Sequence, residues 1–220
     1  VHFNTMCTFA YSSVDQIFVL AALGVKELGA YFILLQCAQL ISFVPKRVGQ
    51  VMLASFSHLV ANGNQEELRR AYQKLCRFIV LLSTVLALLI ILFSRPISLI
   101  FGDWYAQKHI YLVLLAVSVH LGCLGSINSM LIMAKERTGY FLVNSVVLIS
   151  LQLAISFLFV ESHGVSAVIA AKFVGIFAGQ TGLFYIVRTK LDGLSFSPPM
   201  ESWIALVFTF GRGALAVYWQ

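Results

Sequence analysis

Charge is what this sequence has least of. Asp and Glu together number nine in 220 residues, and charged residues of all four types make up 11% of the chain. A water-soluble domain carries about 25%, so that class is excluded. Four cysteines (Cys7, Cys37, Cys76, Cys123) stand singly. With no pair at metal or redox spacing they read as reduced packing residues. Five histidines are as scattered, no two at i, i+4, so no metal site is visible. A glycine-rich phosphate loop, a nucleophile elbow and an HExxH are all missing. No enzyme is indicated. The alternation of period two that a membrane barrel requires is also lacking.

What is there is apolar: 60% of the residues are hydrophobic, and the mean hydropathy is +0.89. A single core cannot bury that much, so much of it faces lipid and the chain is an integral membrane protein. A hydrocarbon layer of about 30 Å takes roughly 20 apolar residues per helix. On that ruler six spans are expected, over Phe3–Gly24, Gly29–Ala61, Arg77–Phe93, Ile110–Ala134, Tyr140–Val160 and Val165–Val187. A weaker seventh covers Trp203–Trp219. The fold class is therefore all-α, a polytopic helix bundle over 1–187 followed by a linker and an extra helix over 188–220. The second span is too long for a simple crossing and is expected to tilt or project. Pro45 within it is expected to kink it.

Arg69, Arg70, Lys74, Arg77, Lys135, Arg137, Arg188 and Lys190 fall on one side of the spans, eight in all. The alternate loops hold three, Lys26, Arg95 and Lys108. The positive-inside rule makes the first side cytoplasmic, with the N-terminus inside. The net charge of +6 is then explained by loop placement and anionic headgroups, and no nucleic-acid partner is expected. The chain begins at Val1, directly in apolar sequence and without a signal-peptide pattern. A fragment of a longer protein would begin so; a non-Met start codon is the alternative.

Locally, "NGNQEELRRAYQKLCRF" reads as a helix start, with Asn64 as cap, Glu67 completing a box and Glu66–Arg70 an i, i+4 pair. Gly175, Gly179 and Gly182 signal close packing of the sixth span. His120 reads as a hydrogen-bonding group inside the bundle. The charges within spans are more informative, because an ionised group at the bilayer centre costs about 2.5–3.5 kcal/mol on insertion scales. Asp15 lies in "YSSVDQIFVLAALG", Lys46 and Arg47 follow Pro45, and Lys172 lies in the sixth span. Two readings stand. Asp15 neutralises one cation as a structural pair, or the surplus of cations lines a watery cavity for an anionic substrate. In the second, Asp15, beside Gln16, tunes the cavity or binds a coupling ion. Gln36, Gln39, Asn128, Asn144, Gln152 and Gln180 are the polar groups that could line the same space.

The order of elements resembles a known family. "VDQIFVLAALGVKELGAYFILLQCAQLISFV" looks like the region of polysaccharide flippases where an Asp-bearing helix runs through a short external turn into the next. "FSHLVANGNQEELRRAYQKLCRFIVLLS" is similar to their cytoplasmic connector. "RPISLIFGDWYAQKHIYLVLLAV" resembles the external segment that follows, and "LIMAKERTGYFLVNSVVLISLQLAISFLFVESHGVSAVIAAKFVG" the closing helix pair. The resemblance covers about Asp15 to Val187. It is to Wzx-like O-antigen flippases of the multidrug/oligosaccharidyl-lipid/polysaccharide exporter superfamily, in their C-terminal half.

That resemblance implies a six-helix lobe of a MATE-type transporter in the bacterial inner membrane. Its work would be to move undecaprenyl-diphosphate-linked oligosaccharide between leaflets by alternating access. No cofactor is implied beyond a coupling H+ or Na+. Lys46, Arg47 and Lys172 would compensate the diphosphate, with Asp15, Gln16, Asn128 and Asn144 as further cavity residues. The partners implied are the lipid-linked substrate, membrane lipid, and an N-terminal lobe or a second copy. Ala54 or a neighbour stands where the family commonly has Pro before the connector, and only one lobe is present. The competing readings are a truncated, non-transporting membrane protein and a cation-coupled multidrug exporter of the same superfamily. A glycan-assembly enzyme such as a polymerase is disfavoured by the short external segment Ser94–His109.

Overall fold

In lipid a backbone amide has no water to bond, so long apolar runs close their hydrogen bonds within themselves and become helices. The computed structural model describes residues 2–137 and 139–190, and among these it contains eight helices and no strand. Six are long: α1 (His2–Leu23), α2 (Val25–Ala61), α3 (Gln65–Leu92), α6 (His109–Ala134), α7 (Gly139–His163) and α8 (Val165–Lys190). Two short ones, α4 (Ser94–Leu99) and α5 (Asp103–Ala106), fill the segment between α3 and α6. Five of the long helices are long and apolar enough to cross a membrane, α2, α3, α6, α7 and α8. The sixth, α1, is helical over the first expected span, with its apolar described part at Ser13–Leu23. The expected helix over Trp203–Trp219 and the linker before it lie outside the described residues.

The breaks between helices are short and sit where glycine permits them. Gly24 (φ 86°) alone separates α1 from α2, and Gly164 (φ 58°) alone separates α7 from α8. Residues with a Cβ rarely adopt these angles. Each break therefore folds an antiparallel helical hairpin. α2 runs unbroken through Pro45 for 37 residues, roughly 55 Å at 1.5 Å per residue, and so outreaches the hydrocarbon layer. α3 starts well before the apolar run because its first turns are amphipathic. The Asn64 side chain accepts from the Glu67 amide at 3.2 Å and donates to its carboxylate at 2.7 Å, and Glu66 pairs with Arg70. The expected capping pattern and ion pair are both formed.

α6 is the central element. Of its apolar window 65% is buried, against 17% for α7. It packs on α2, α3 and α8, with Leu112, Leu115, Ala116 and Ile127 fully enclosed beside Tyr31, Leu34, Leu35 and Ile41 of α2. α7 turns Val143, Phe157 and Leu158 outward. Its inner face meets α8, and α1 packs against both. At the end of the bundle holding Gly24, Lys108 bonds both oxygens of Glu27 and lies 4.4 Å from the Trp104 ring, with Lys26 4.8 Å from the same ring. This clasp ties the α1–α2 turn to α5 and α6.

The α7–α8 seam depends on the glycines of α8. A Cβ at Gly179 would lie 2.6 Å from Leu148 Cδ2, whereas one at Gly175 would find only ordinary contacts from 3.6 Å outward. Gly179→Val is expected to destabilise the bundle by about 1–3 kcal/mol through overpacking. Gly175→Ala should be neutral within about 0.5 kcal/mol. Thermal unfolding of the detergent-solubilised chain measures both.

Candidate functional site

Asp15 is buried at 1% exposure, on the face of α1 turned toward the other helices. The Tyr31 hydroxyl of α2 donates to its Oδ2, the Lys172 ammonium of α8 donates to the same oxygen, and the Gln16 amide donates to Oδ1 at 3.0 Å. One carboxylate thus joins three helices. Tyr31 reaches it because the hairpin at Gly24 brings together residues at comparable distances on either side of the break. Lys172 reaches it because α8 returns beside α7 and against α1. A lone buried carboxylate would be strongly destabilising; one with an ammonium and two further donors is compensated.

Lys172 has a second environment. It lines a cavity of about 270 Å³ between α2, α6 and α8, together with Lys46, Gln39, Ser42, Ser126 and Gln180. No carboxylate lines this space, and Lys46 has no acidic partner among the described residues. Gln180 fits because residue 125 is glycine: its carboxamide occupies the place a Cβ there would take. Its Oε1 is buried and unpartnered among the described residues. On α7, Gln152 and Ser156 are also buried without a side-chain partner. The Gln152 Cβ lies 3.8 Å from where a Gly175 Cβ would stand, one helical turn along α8 from Lys172.

The expected site residues separate into two groups. Asp15, Lys46 and Lys172 come together around the pair and the cavity, with Gln39 and Gln180 beside the two lysines; Gln16 meets the pair through its backbone amide. Arg47 does not line the cavity. It is exposed, donates to Gln50 at 3.2 Å and lies 5.6 Å from the Phe43 ring. Asn128 instead accepts from the Tyr72 hydroxyl at 2.6 Å, joining α6 to α3. Asn144 packs on α8, its Oδ1 3.5 Å from where a Gly182 Cβ would be. His120 holds Ser83 at 3.1 Å inside the bundle, the structural role expected of it. Sequence reasoning missed Tyr31, Ser42 and Ser126. Tyr31 was within reach of it, since an Asp-bearing helix that turns at one glycine must face the start of the next.

The chain thus has five helices long and apolar enough to cross a membrane and a largely apolar cavity that two lysines border. The MatE family model matches residues 1–158, and the chain belongs to that family, whose members are transporters of the multidrug/oligosaccharidyl-lipid/polysaccharide exporter superfamily. No curated protein and no solved structure matches the chain.

The two partners of the buried pair are not equivalent. The Asp15 side chain has no exposure, whereas Lys172 keeps 10% and borders the cavity. Lys172→Met strands a carboxylate and is expected to cost about 3–5 kcal/mol. Asp15→Asn leaves an ammonium that can turn to the cavity, and should cost at least about 1 kcal/mol less. Denaturant unfolding of the two variants in one detergent checks the order.

Proposed function

We propose that this chain is the C-terminal lobe of a flippase for undecaprenyl-diphosphate-linked oligosaccharide, serving surface polysaccharide synthesis in the bacterial inner membrane. The observation that carries the reading is the cavity bordered by two ammonium groups and no carboxylate. Such a site favours an oxyanion. At about 270 Å³ it falls below the range of about 300–1,000 Å³ typical of drug-sized pockets. It takes the diphosphate and leaves the sugars outside. Lys46 and Lys172 bind the charge, Gln39 and Gln180 orient the oxygens, and Asp15 sets the availability of Lys172 or holds the coupling ion, H+ or Na+. Arg47, exposed like Lys46 but not bordering the cavity, adds positive potential from outside it.

Transport by alternating access needs a second lobe, supplied by an N-terminal half or a second copy of this chain. The basic turns support a cytoplasmic N-terminus: Lys135 and Arg137 line a cleft of about 610 Å³ with Gly63 and Gln65, so the α2–α3 and α6–α7 turns share one end of the bundle. A cation-coupled multidrug exporter of the same superfamily fits less well, because a cationic drug would meet two ammonium groups.

The test is translocation of a fluorescent undecaprenyl-diphosphate oligosaccharide in proteoliposomes holding this chain with an N-terminal lobe. Transport is expected, reduced at least about tenfold by Lys172→Ala or Lys46→Ala and less by Arg47→Ala. Folded protein that transports nothing with either lobe partner would instead identify a non-transporting product. Drug efflux with no glycan movement would identify the exporter.

A further inference from the structure

α2 and α6 end in the same way, against a common cleft. In each, the second residue past the helix takes a left-handed backbone, and its amide and the next return to the helix. Gly63 bonds Val60 at 3.1 Å and Asn64 bonds Leu59 at 3.2 Å; Glu136 bonds Met133 at 3.0 Å and Arg137 bonds Ile132 at 3.1 Å. Glycine bears this conformation without strain, as at Gly63 (φ 68°). Glu136 (φ 57°) is the one described residue with a side chain that adopts it. The cleft of about 610 Å³ between the two ends shares no lining residue with the cavity at Lys46 and Lys172.

Its lining carries both signs. Lys135, Glu136 and Arg137 border it with Gln65 and Ser57, and Leu59, Val60 and Met133 give it an apolar wall. Glu136 and Arg137 are exposed, and so is Met133, at 41%. α6 and α7 are both long and apolar enough to cross a membrane, and residues 135–138 join them, so this turn stands where the hydrocarbon layer ends. We propose that the cleft is a site for a phospholipid whose headgroup carries both a phosphate and a primary amine, the phosphatidylethanolamine class. The ammonium donates to the Glu136 carboxylate, beside two helix C-termini whose partial negative charge also favours a cation. The phosphate accepts from Lys135 and Arg137, and the start of an acyl chain covers Met133, Leu59 and Val60. A phosphatidylglycerol headgroup would bring no cation to Glu136, and the quaternary ammonium of phosphatidylcholine has no N–H to give it. Lys135 and Arg137 would suit the negative helix ends without any ligand, but that role needs neither a carboxylate between them nor a side chain in the left-handed conformation. The site is independent of what the cavity at Lys172 carries.

The experiment is thermal unfolding of the 220-residue chain in phosphatidylcholine nanodiscs, with phosphatidylethanolamine or phosphatidylglycerol added in steps. Phosphatidylethanolamine is expected to raise the midpoint saturably, by at least about 3 °C, and phosphatidylglycerol to raise it far less. Glu136→Gln should lose the shift. Glu136→Gly, which relieves the backbone, should unfold about 2–4 °C higher in phosphatidylcholine alone and also lose it. Lys135→Gln/Arg137→Gln should lose it, whereas Arg69→Gln/Lys74→Gln, which removes the same charge from α3 outside the cleft, should keep it. A cooperative transition in phosphatidylcholine alone shows that each variant folds. The proposal is overturned if phosphatidylglycerol stabilises as much as phosphatidylethanolamine, if Glu136→Gln keeps the shift, if the α3 pair loses it equally, or if neither lipid moves the midpoint. Millimolar glycerophosphoethanolamine, the headgroup without its chains, should give no shift; one as large as the lipid's would assign the cleft to a soluble ligand and overturn the lipid.

Discussion

A carboxylate in an apolar bundle must be compensated from within the bundle, and the compensation of Asp15 organises much of this structure. Tyr31 and Lys172 come from helices far apart in the chain and meet on one oxygen. For that to happen α1 must turn back at Gly24, and α8 must lie close enough to reach across. Gly179 lets α8 settle against Leu148 of α7. Gly125 does the same on the α6 side by making room for Gln180. The small residues are thus not scattered tolerances. They set the separation at which a lysine on one helix meets an aspartate on another.

The same constraint shapes the cavity. Because Asp15 stands behind Lys172 and does not line the space, the only charged groups at the otherwise largely apolar cavity are the cations Lys46 and Lys172. Its charge therefore depends on whether the pair is closed. Unsatisfied polar atoms at Gln180, Gln152 and Ser156 are costly in a lipid-embedded bundle unless a ligand or water meets them. Their position on α7 and α8 agrees with a polar interior rather than a fully dry core. Thr84 Oγ1, Ser98 Oγ and His120 Nε2 are likewise buried without a partner among the described residues. Tyr72 with Asn128, and Ser83 with His120, join α3 to α6 in the half of the bundle away from Asp15.

Lys46 and Arg47 show how far composition can be trusted. Adjacent in sequence, they read alike as intramembrane cations. Both are exposed, but on a helix they point about 100° apart, so Lys46 borders the cavity while Arg47 lies with Gln50 and Phe43. Asn128 and Asn144 read alike as lining residues, and the structure places Asn128 against Tyr72 and Asn144 beside Gly182. Neither has a local signature that separates the two roles, because the choice depends on which helix happens to lie opposite.

The sequence by itself determined that this is a membrane-embedded helical chain. It also set where five of the six long helices run to within a few residues, how α3 is capped ahead of its apolar run, and that α8 packs closely. These follow from local physics: apolar length against bilayer thickness, backbone groups that bond within a helix, capping at Asn64, and absent Cβ atoms. Even the presence of an unusual carboxylate and surplus cations was legible. Which cation meets the carboxylate was decided only by the tertiary structure. Lys46, Arg47 and Lys172 were equal candidates until α7 and α8 closed against α1. Ion pairing between helices depends on their separation and rotation about their axes, and those are fixed by side-chain packing between distant segments.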